Sequence, residues 1–152
     1  MTYATDQARQ ELLDAIAHAT NRLGVALAAL GDAYEQLDEQ SADQLEEELF
    51  RPVQVAYGRA RKTHSDFADR SGRPRRVFAP ARSGAASHGV KGFLERAVES
   101  VSEADEELAT LQDSLKPVEV GDPALRAGLA EVRRLLADIE RRSRRFVSGY
   151  GR

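Results

Sequence analysis

The sequence predicts an all-α fold, an antiparallel up-and-down four-helix bundle of long helices with coiled-coil-like spacing. Apolar residues recur alternately three and four positions apart over most of the chain, which is the period of an amphipathic helix. Aromatic residues make up only 6% of the 152 residues and Trp is missing, so the core must come from Leu, Val, Ile and Ala. Such a core suits closely packed helices. We therefore expect one helical-bundle domain over residues 1–152.

The first predicted helix spans about residues 6–39. Thr5 is expected to cap it, with Asp6 in the first turn, because both side chains complement the free backbone N–H groups of a helix start. The apolar stripe of this helix consists of Leu12, Ile16, Ala19, Leu23, Ala26, Leu30, Ala33 and Leu37.

The second predicted helix spans about residues 42–70, and Ser41 with Gln44 forms an expected capping box at its start. Pro52 lacks a backbone donor and disfavours helical geometry at the residue before it. We therefore expect a kink at Pro52, or two helical pieces that meet there. The apolar stripe continues through Leu45, Leu49, Val53, Ala56, Ala60, Thr63 and Phe67.

The third and fourth predicted helices span about residues 89–115 and 123–147. Lys116 and Pro117 are expected to end the third helix, and Asp122 followed by Pro123 is typical of a helix start. The two apolar stripes consist of Val90, Leu94, Ala97, Val101, Ala104, Leu108, Leu111 and Leu115, and of Leu125, Leu129, Val132, Leu136, Ile139 and Phe146.

A basic loop over residues 71–88 joins the second and third predicted helices. Residues 51–96 hold 11 basic and 3 acidic side chains, whereas residues 1–50 hold 2 basic and 11 acidic ones. Loops this long are usually functional or disordered, and Val77 with Phe78 offers an apolar pair that would pin this one to the helices. The charge segregation itself either attracts an anionic partner or lets acidic and basic helices of one bundle lie together.

We expect residues 51–96 to bind an acidic protein surface or nucleic acid. The basic side chains expected at this binding surface are Arg59, Arg61, Lys62, Arg73, Arg75, Arg76 and Arg82. A different possibility is a structural homo-oligomer, for example a homodimer, in which a second copy completes the apolar stripes.

Catalytic and metal-binding patterns are missing from the sequence. There is no Cys, and neither His18, His64 nor His88 follows a Glu by three positions, as a di-iron bundle requires. No phosphate-binding Gly loop or nucleophile elbow occurs, and the Glu-rich runs fit solvated helix faces. We therefore expect a non-enzymatic protein with no cofactor and no metal. Without a signal peptide or a long apolar run, a cytoplasmic location and no membrane association are expected.

Two short motifs in the basic loop resemble those of known families. Residues 71–76, SGRPRR, resemble the Gly-Arg-Pro core of AT-hook peptides, which implies an extended segment in the narrow minor groove of A·T-rich DNA. Residues 87–93, SHGVKGF, are similar to the phosphoacceptor motif of histidine phosphotransfer domains, which are four-helix bundles. That resemblance implies that His88 accepts a phosphoryl group, Lys91 offsets its charge and Gly92 leaves room for a receiver domain.

Overall fold

The computed structural model describes residues 3–84 and 89–150, and all regular secondary structure in this part of the chain is helical. The predicted all-α class is confirmed for these residues. The elements are α1 (Tyr3–Glu35), α2 (Glu39–Leu45), a π-helical turn (Glu46–Phe50), α3 (Arg51–Arg70), α4 (Val90–Asp113), the short α5 (Lys116–Glu119) and α6 (Pro123–Tyr150).

The junction of α1 and α2 lies upstream of its predicted position. The backbone of Asp38 is extended, and its carboxylate accepts hydrogen bonds from the Ser41 backbone N–H at 2.8 Å and the Ser41 hydroxyl at 3.2 Å. The backbone bond lowers the pKa of Asp38. The capping box at Ser41 was therefore a wrong prediction, because Asp38 already provides the charged acceptor three residues earlier. Thr5 likewise lies inside α1, which begins at Tyr3.

A π-helical turn precedes Pro52. The Arg51 backbone N–H donates to the Glu46 carbonyl, five residues back, and α3 begins at Arg51 with Pro52 in its first turn. Pro52 has no N–H for an i−4 carbonyl, and a wider turn at this point accommodates the missing bond. The chain thus passes from α2 to α3 through a local change of helical hydrogen bonding at the position where the sequence predicts two helical pieces to meet.

The link between α4 and α6 contains a helix that the sequence does not predict. Instead of only ending the preceding helix, Pro117 occupies the first turn of α5, where its missing donor has no effect. Asp122 then starts α6, because its carboxylate accepts a hydrogen bond of 2.7 Å from the Leu125 backbone N–H.

The core lies between the four long helices. α1 packs against α3 and α4, and α6 packs against the same two helices. The predicted apolar stripes largely face inward, since Leu23 and Leu136 are fully buried and Val101 is 3% exposed. Leu115 was wrongly predicted in the third stripe: α4 ends at Asp113, and the Leu115 side chain is 66% exposed. α6 approaches α3 closely at Gly128, where an added Cβ would lie 2.6 Å from the Thr63 Oγ1.

Candidate binding surface

The basic segment after α3 begins with an ordered turn. Gly72 has a φ of +69°, and its N–H donates to the Asp69 carbonyl at 3.2 Å. The Arg73 N–H donates to the Ala68 carbonyl at 2.8 Å. These two bonds form a Schellman motif, which uses a left-handed residue to end a helix and suits Gly because it lacks a Cβ. The chain therefore leaves α3 in a defined direction.

Residues 71–84, which we call the connecting segment, are fastened to helices at both ends. Near its start, the Arg73 Nε donates to the Gln10 Oε1 at 3.0 Å. Near its end, the buried Ser83 donates its hydroxyl to the Asp32 Oδ2 at 2.8 Å, and the Arg96 Nε donates to the Ser83 carbonyl at 3.1 Å. Gln10 and Asp32 are separated by about 33 Å along α1. The connecting segment therefore follows most of the length of α1.

Phe78 fixes the middle of the connecting segment on α3. Its half-buried ring meets the imidazole of His64 edge-on, with 5.5 Å between the ring centroids. The guanidinium of Arg61 lies 5.9 Å from the Phe78 centroid and 5.5 Å from the Tyr57 centroid. Both distances are within the range of cation–π attraction. An exposed cation is thus held over two aromatic rings on the outside of α3.

Val77 does not share this anchoring role. Its side chain is 91% exposed, so the prediction that Val77 and Phe78 together pin the segment is correct only for Phe78. Successive side chains of an extended segment point to opposite sides, and Phe78 takes the inward side. Val77 is therefore available to a partner.

His64 is buried more completely than its position beside the apolar stripe predicts. It is 2% exposed, and its Nδ1 has no hydrogen-bond partner within residues 3–84 and 89–150. Desolvation lowers the pKa of His64, the positive charge of Arg76 lowers it further, and Asp14 acts in the opposite direction. The imidazole is therefore neutral near neutral pH.

Because His64 is buried in its neutral form, we predict that lowering the pH destabilises the folded protein. The unfolded chain binds a proton with a pKa near the ordinary value of 6.5, whereas folded His64 binds one only at lower pH. Since the unfolded state then holds more protons, the free energy of unfolding falls as the pH drops through 6.5. Chemical denaturation between about pH 7.5 and pH 5.5 measures this loss, which His64→Leu should reduce. His18→Gln is the comparison, because His18 is 63% exposed and its Nδ1 lies 3.0 Å from the Glu107 Oε1, so its removal opens a surface pair and leaves the burial of His64 unchanged. An unchanged pH profile in His64→Leu would contradict the assignment.

Three of the seven predicted binding residues are held by intramolecular partners. Lys62 pairs with Asp66 at 2.9 Å, and Arg75 makes a two-pronged ion pair with Asp69. That pair lowers the pKa of Asp69 through the Arg75 hydrogen bond. Arg73 is engaged by Gln10 as described above. These side chains contribute positive charge, but a partner would have to displace existing bonds to reach them.

The other four predicted binding residues are exposed and have no carboxylate within ion-pair distance in the described part of the chain. They are Arg59, Arg61, Arg76 and Arg82. Two exposed valines lie on the same elements, Val55 on α3 with 55% exposure and Val77 on the connecting segment. We call these six residues the basic surface.

The two sequence resemblances involve residues with different positions in the structure. Arg73 of the Gly-Arg-Pro motif is bonded to Gln10, and Arg75 to Asp69. Binding in a DNA minor groove would require both to be released. His88 lies outside the described residues, and Lys91 is exposed in the first turn of α4. Phosphotransfer at His88 stays a prediction.

Among residues 3–84 and 89–150, no group of three or more His, Asp or Glu side chains is placed to hold a metal ion. Of the helices in these two ranges, none combines the length and the apolar character needed to cross a membrane. Comparison of the chain with protein-family models, curated proteins and solved structures finds no match.

Proposed function

We propose that this chain is a non-enzymatic, cytoplasmic helical protein that binds an acidic surface of another protein through its basic surface. The observation that carries the proposal is the group of four exposed arginines of α3 and the connecting segment that have no carboxylate partner among the described residues, together with two exposed valines on the same two elements. Arginine is enriched at protein interfaces because its planar guanidinium pairs with carboxylates at two points. The exposed valines of the same two elements would add apolar contact.

The arrangement of the helices supports this use of the surface. The pairwise packing, with Arg70 at the end of α3 bonded to Asp122 at the start of α6, fits a four-helix bundle with antiparallel neighbours. Lys116, just after α4, is 2.9 Å from Glu11 near the start of α1, which fits the same arrangement. In such a bundle α3 and α4 are diagonal, and the connecting segment is a long crossover between them rather than the short loop of the predicted up-and-down order. The basic surface then lies on a rigid helix and a segment that is fixed at both ends.

The aromatic rings next to the basic surface already have contacts within the protein, and this favours a protein partner over nucleic acid. Sequence-tolerant binding of single strands uses exposed aromatic faces on which bases stack. Here Phe78 meets His64, and Arg61 lies over both Phe78 and Tyr57. The two exposed apolar side chains of the basic surface, Val55 and Val77, are instead aliphatic, which suits an acidic protein surface that contains apolar residues.

The proposal predicts that charge reversal at the basic surface abolishes binding of acidic, apolar peptides. The probe is a labelled peptide of Glu and Leu residues, measured by fluorescence anisotropy at low salt. We expect the Arg61→Glu, Arg76→Glu, Arg82→Glu triple variant to bind it at least about ten-fold more weakly, since three attractive charges become repulsive.

The matched control is the triple variant Arg134→Glu, Arg141→Glu, Arg145→Glu, which makes the same change in net charge with exposed arginines of α6. Equal losses of peptide affinity in the two triple variants would show that net charge alone explains the effect, and would contradict the proposal. Tighter binding of a DNA oligonucleotide than of the peptide, with a steep salt dependence, would identify nucleic acid as the partner instead.

A further inference from the structure

A groove between α4 and α6 has an apolar floor and an acidic rim. Its volume is about 690 Å³, within the range of binding pockets. Val98 and Val147 contribute the floor, and Arg144 is the only cation among the described residues that line it. The acidic rim residues all come from α4 and are Glu95, Glu99, Glu103 and Glu106. Their spacing of three or four positions puts them on one side of that helix.

Much of the rim charge is not neutralised within the described part of the chain. Glu95 and Glu106 are exposed and have no ion-pair partner there. Glu99 lies 3.7 Å from Arg96 and is 63% exposed, while Glu103 pairs with Arg22 at 3.2 Å. The excess of negative charge is also felt by Glu140 of α6, whose pKa is raised by desolvation and by the nearby Asp105 and Glu106.

We infer that this acidic groove binds the basic surface of a second copy of the chain. The inference rests on the proposed function and names the acidic protein partner as the chain itself. The two surfaces are complementary in charge and in apolar content. Val77 projects into solvent with Arg76 beside it and Arg82 on the same segment, and the groove offers an apolar floor with glutamates along one side. Entry of Val77 would bring the connecting segment against the groove, where the long, exposed side chains of Arg76 and Arg82 can reach the rim from the flanks of the segment.

One copy can use both surfaces at the same time. The groove belongs to α4 and α6, whereas the basic surface belongs to α3 and the connecting segment. A contact between two different surfaces is heterologous, so it adds copies head to tail until a ring closes or an open chain forms. A contact formed by one segment and one groove is smaller than the roughly 1,200 Å² of a stable interface, so the association is weak. Since it depends on charge, it also weakens with salt.

Two charge-reversal variants with complementary defects test the inference by sedimentation velocity at low salt. The basic variant is Arg76→Glu with Arg82→Glu, and the groove variant is Glu95→Lys with Glu106→Lys. We expect the wild-type mass to rise with concentration beyond that of a dimer, and each variant alone to remain a 16.7 kDa monomer. An equimolar mixture should again associate beyond a dimer, because the arginine surface of the groove variant meets a glutamate groove and the glutamate surface of the basic variant meets a lysine groove.

The control variant is Glu35→Lys with Asp43→Lys, two exposed acids outside the groove, and it should associate as the wild type does. A wild type that stays monomeric at every concentration, or a mixture that forms no dimer, would overturn the inference. So would a groove variant that associates normally. The acidic peptide assay separates this result from the proposed function: if the basic surface binds the peptide while the chain never associates, the proposed function stands and only the identity of the partner is wrong.

Discussion

Replacing Phe67 by Ala should lower the free energy of unfolding by about 3–5 kcal/mol, the usual loss for a large aromatic residue in a core. Phe67 is 2% exposed on α3 and belongs to the main cluster of buried apolar side chains. Its removal leaves a cavity between helices that the backbone can fill only partly, because close-packed interiors relax little. Urea denaturation followed by circular dichroism measures the change.

Leu115→Ala is the control for that experiment. Leu115 lies between α4 and α5 and is 66% exposed, so its truncation should change the free energy of unfolding by less than about 0.5 kcal/mol. If Phe67→Ala cost no more than Leu115→Ala, α3 would not be packed as described.

Gly121→Ala should destabilise the protein by about 1–3 kcal/mol, as overpacking typically does. A Cβ at this position would collide with the Pro117 carbonyl oxygen and would lie 2.7 Å from the Leu125 Cδ2. The carbonyl belongs to α5, where the Val120 N–H donates to the Lys116 carbonyl at 2.9 Å, so it cannot move without disturbing that helix. The denaturation midpoint in urea reports the loss.

The same substitution at Gly58, Gly58→Ala, should have the opposite effect on stability. Gly58 is exposed on α3, and an added Cβ there meets no atom of the described chain within 4 Å. Ala has the higher helix propensity, so stability should rise by up to about 1 kcal/mol. Equal effects at Gly121 and Gly58 would show that the contact with Pro117 has no energetic importance.

The helices could be predicted from the sequence because their signal is local. The stripe positions of Leu23, Val101 and Leu136 follow from helical periodicity alone, and all three are buried. Helix ends were less predictable, because several polar residues compete as caps within a few positions. Asp38 and Ser41 both have the chemistry of an N-cap, and backbone geometry selects Asp38.

The composition of the basic surface was only partly predictable. The sequence indicates which side chains are cationic, but the bond from Arg73 to Gln10 joins residues 63 positions apart. Such pairs depend on how helices are placed, so sequence alone could not separate the engaged arginines from the available ones. The groove between α4 and α6 depends on the relative rotation of two helices. The spacing of Glu95, Glu99 and Glu106 along one side of α4 was its only local signal, and solvated helix faces show the same spacing.

The connecting segment is bonded to Gln10, Asp32 and Arg96, so a peptide bond cut within it leaves both new ends attached to helices. Trypsin acting after Arg76, which is exposed, would divide the protein into two fragments, one with α1 to α3 and one with α4 to α6. Each fragment would carry half of the apolar core, because α1 packs on α4 and α3 packs on α6. The nicked halves should therefore stay together without a covalent link and separate only in denaturant, as the two parts of a split protein do.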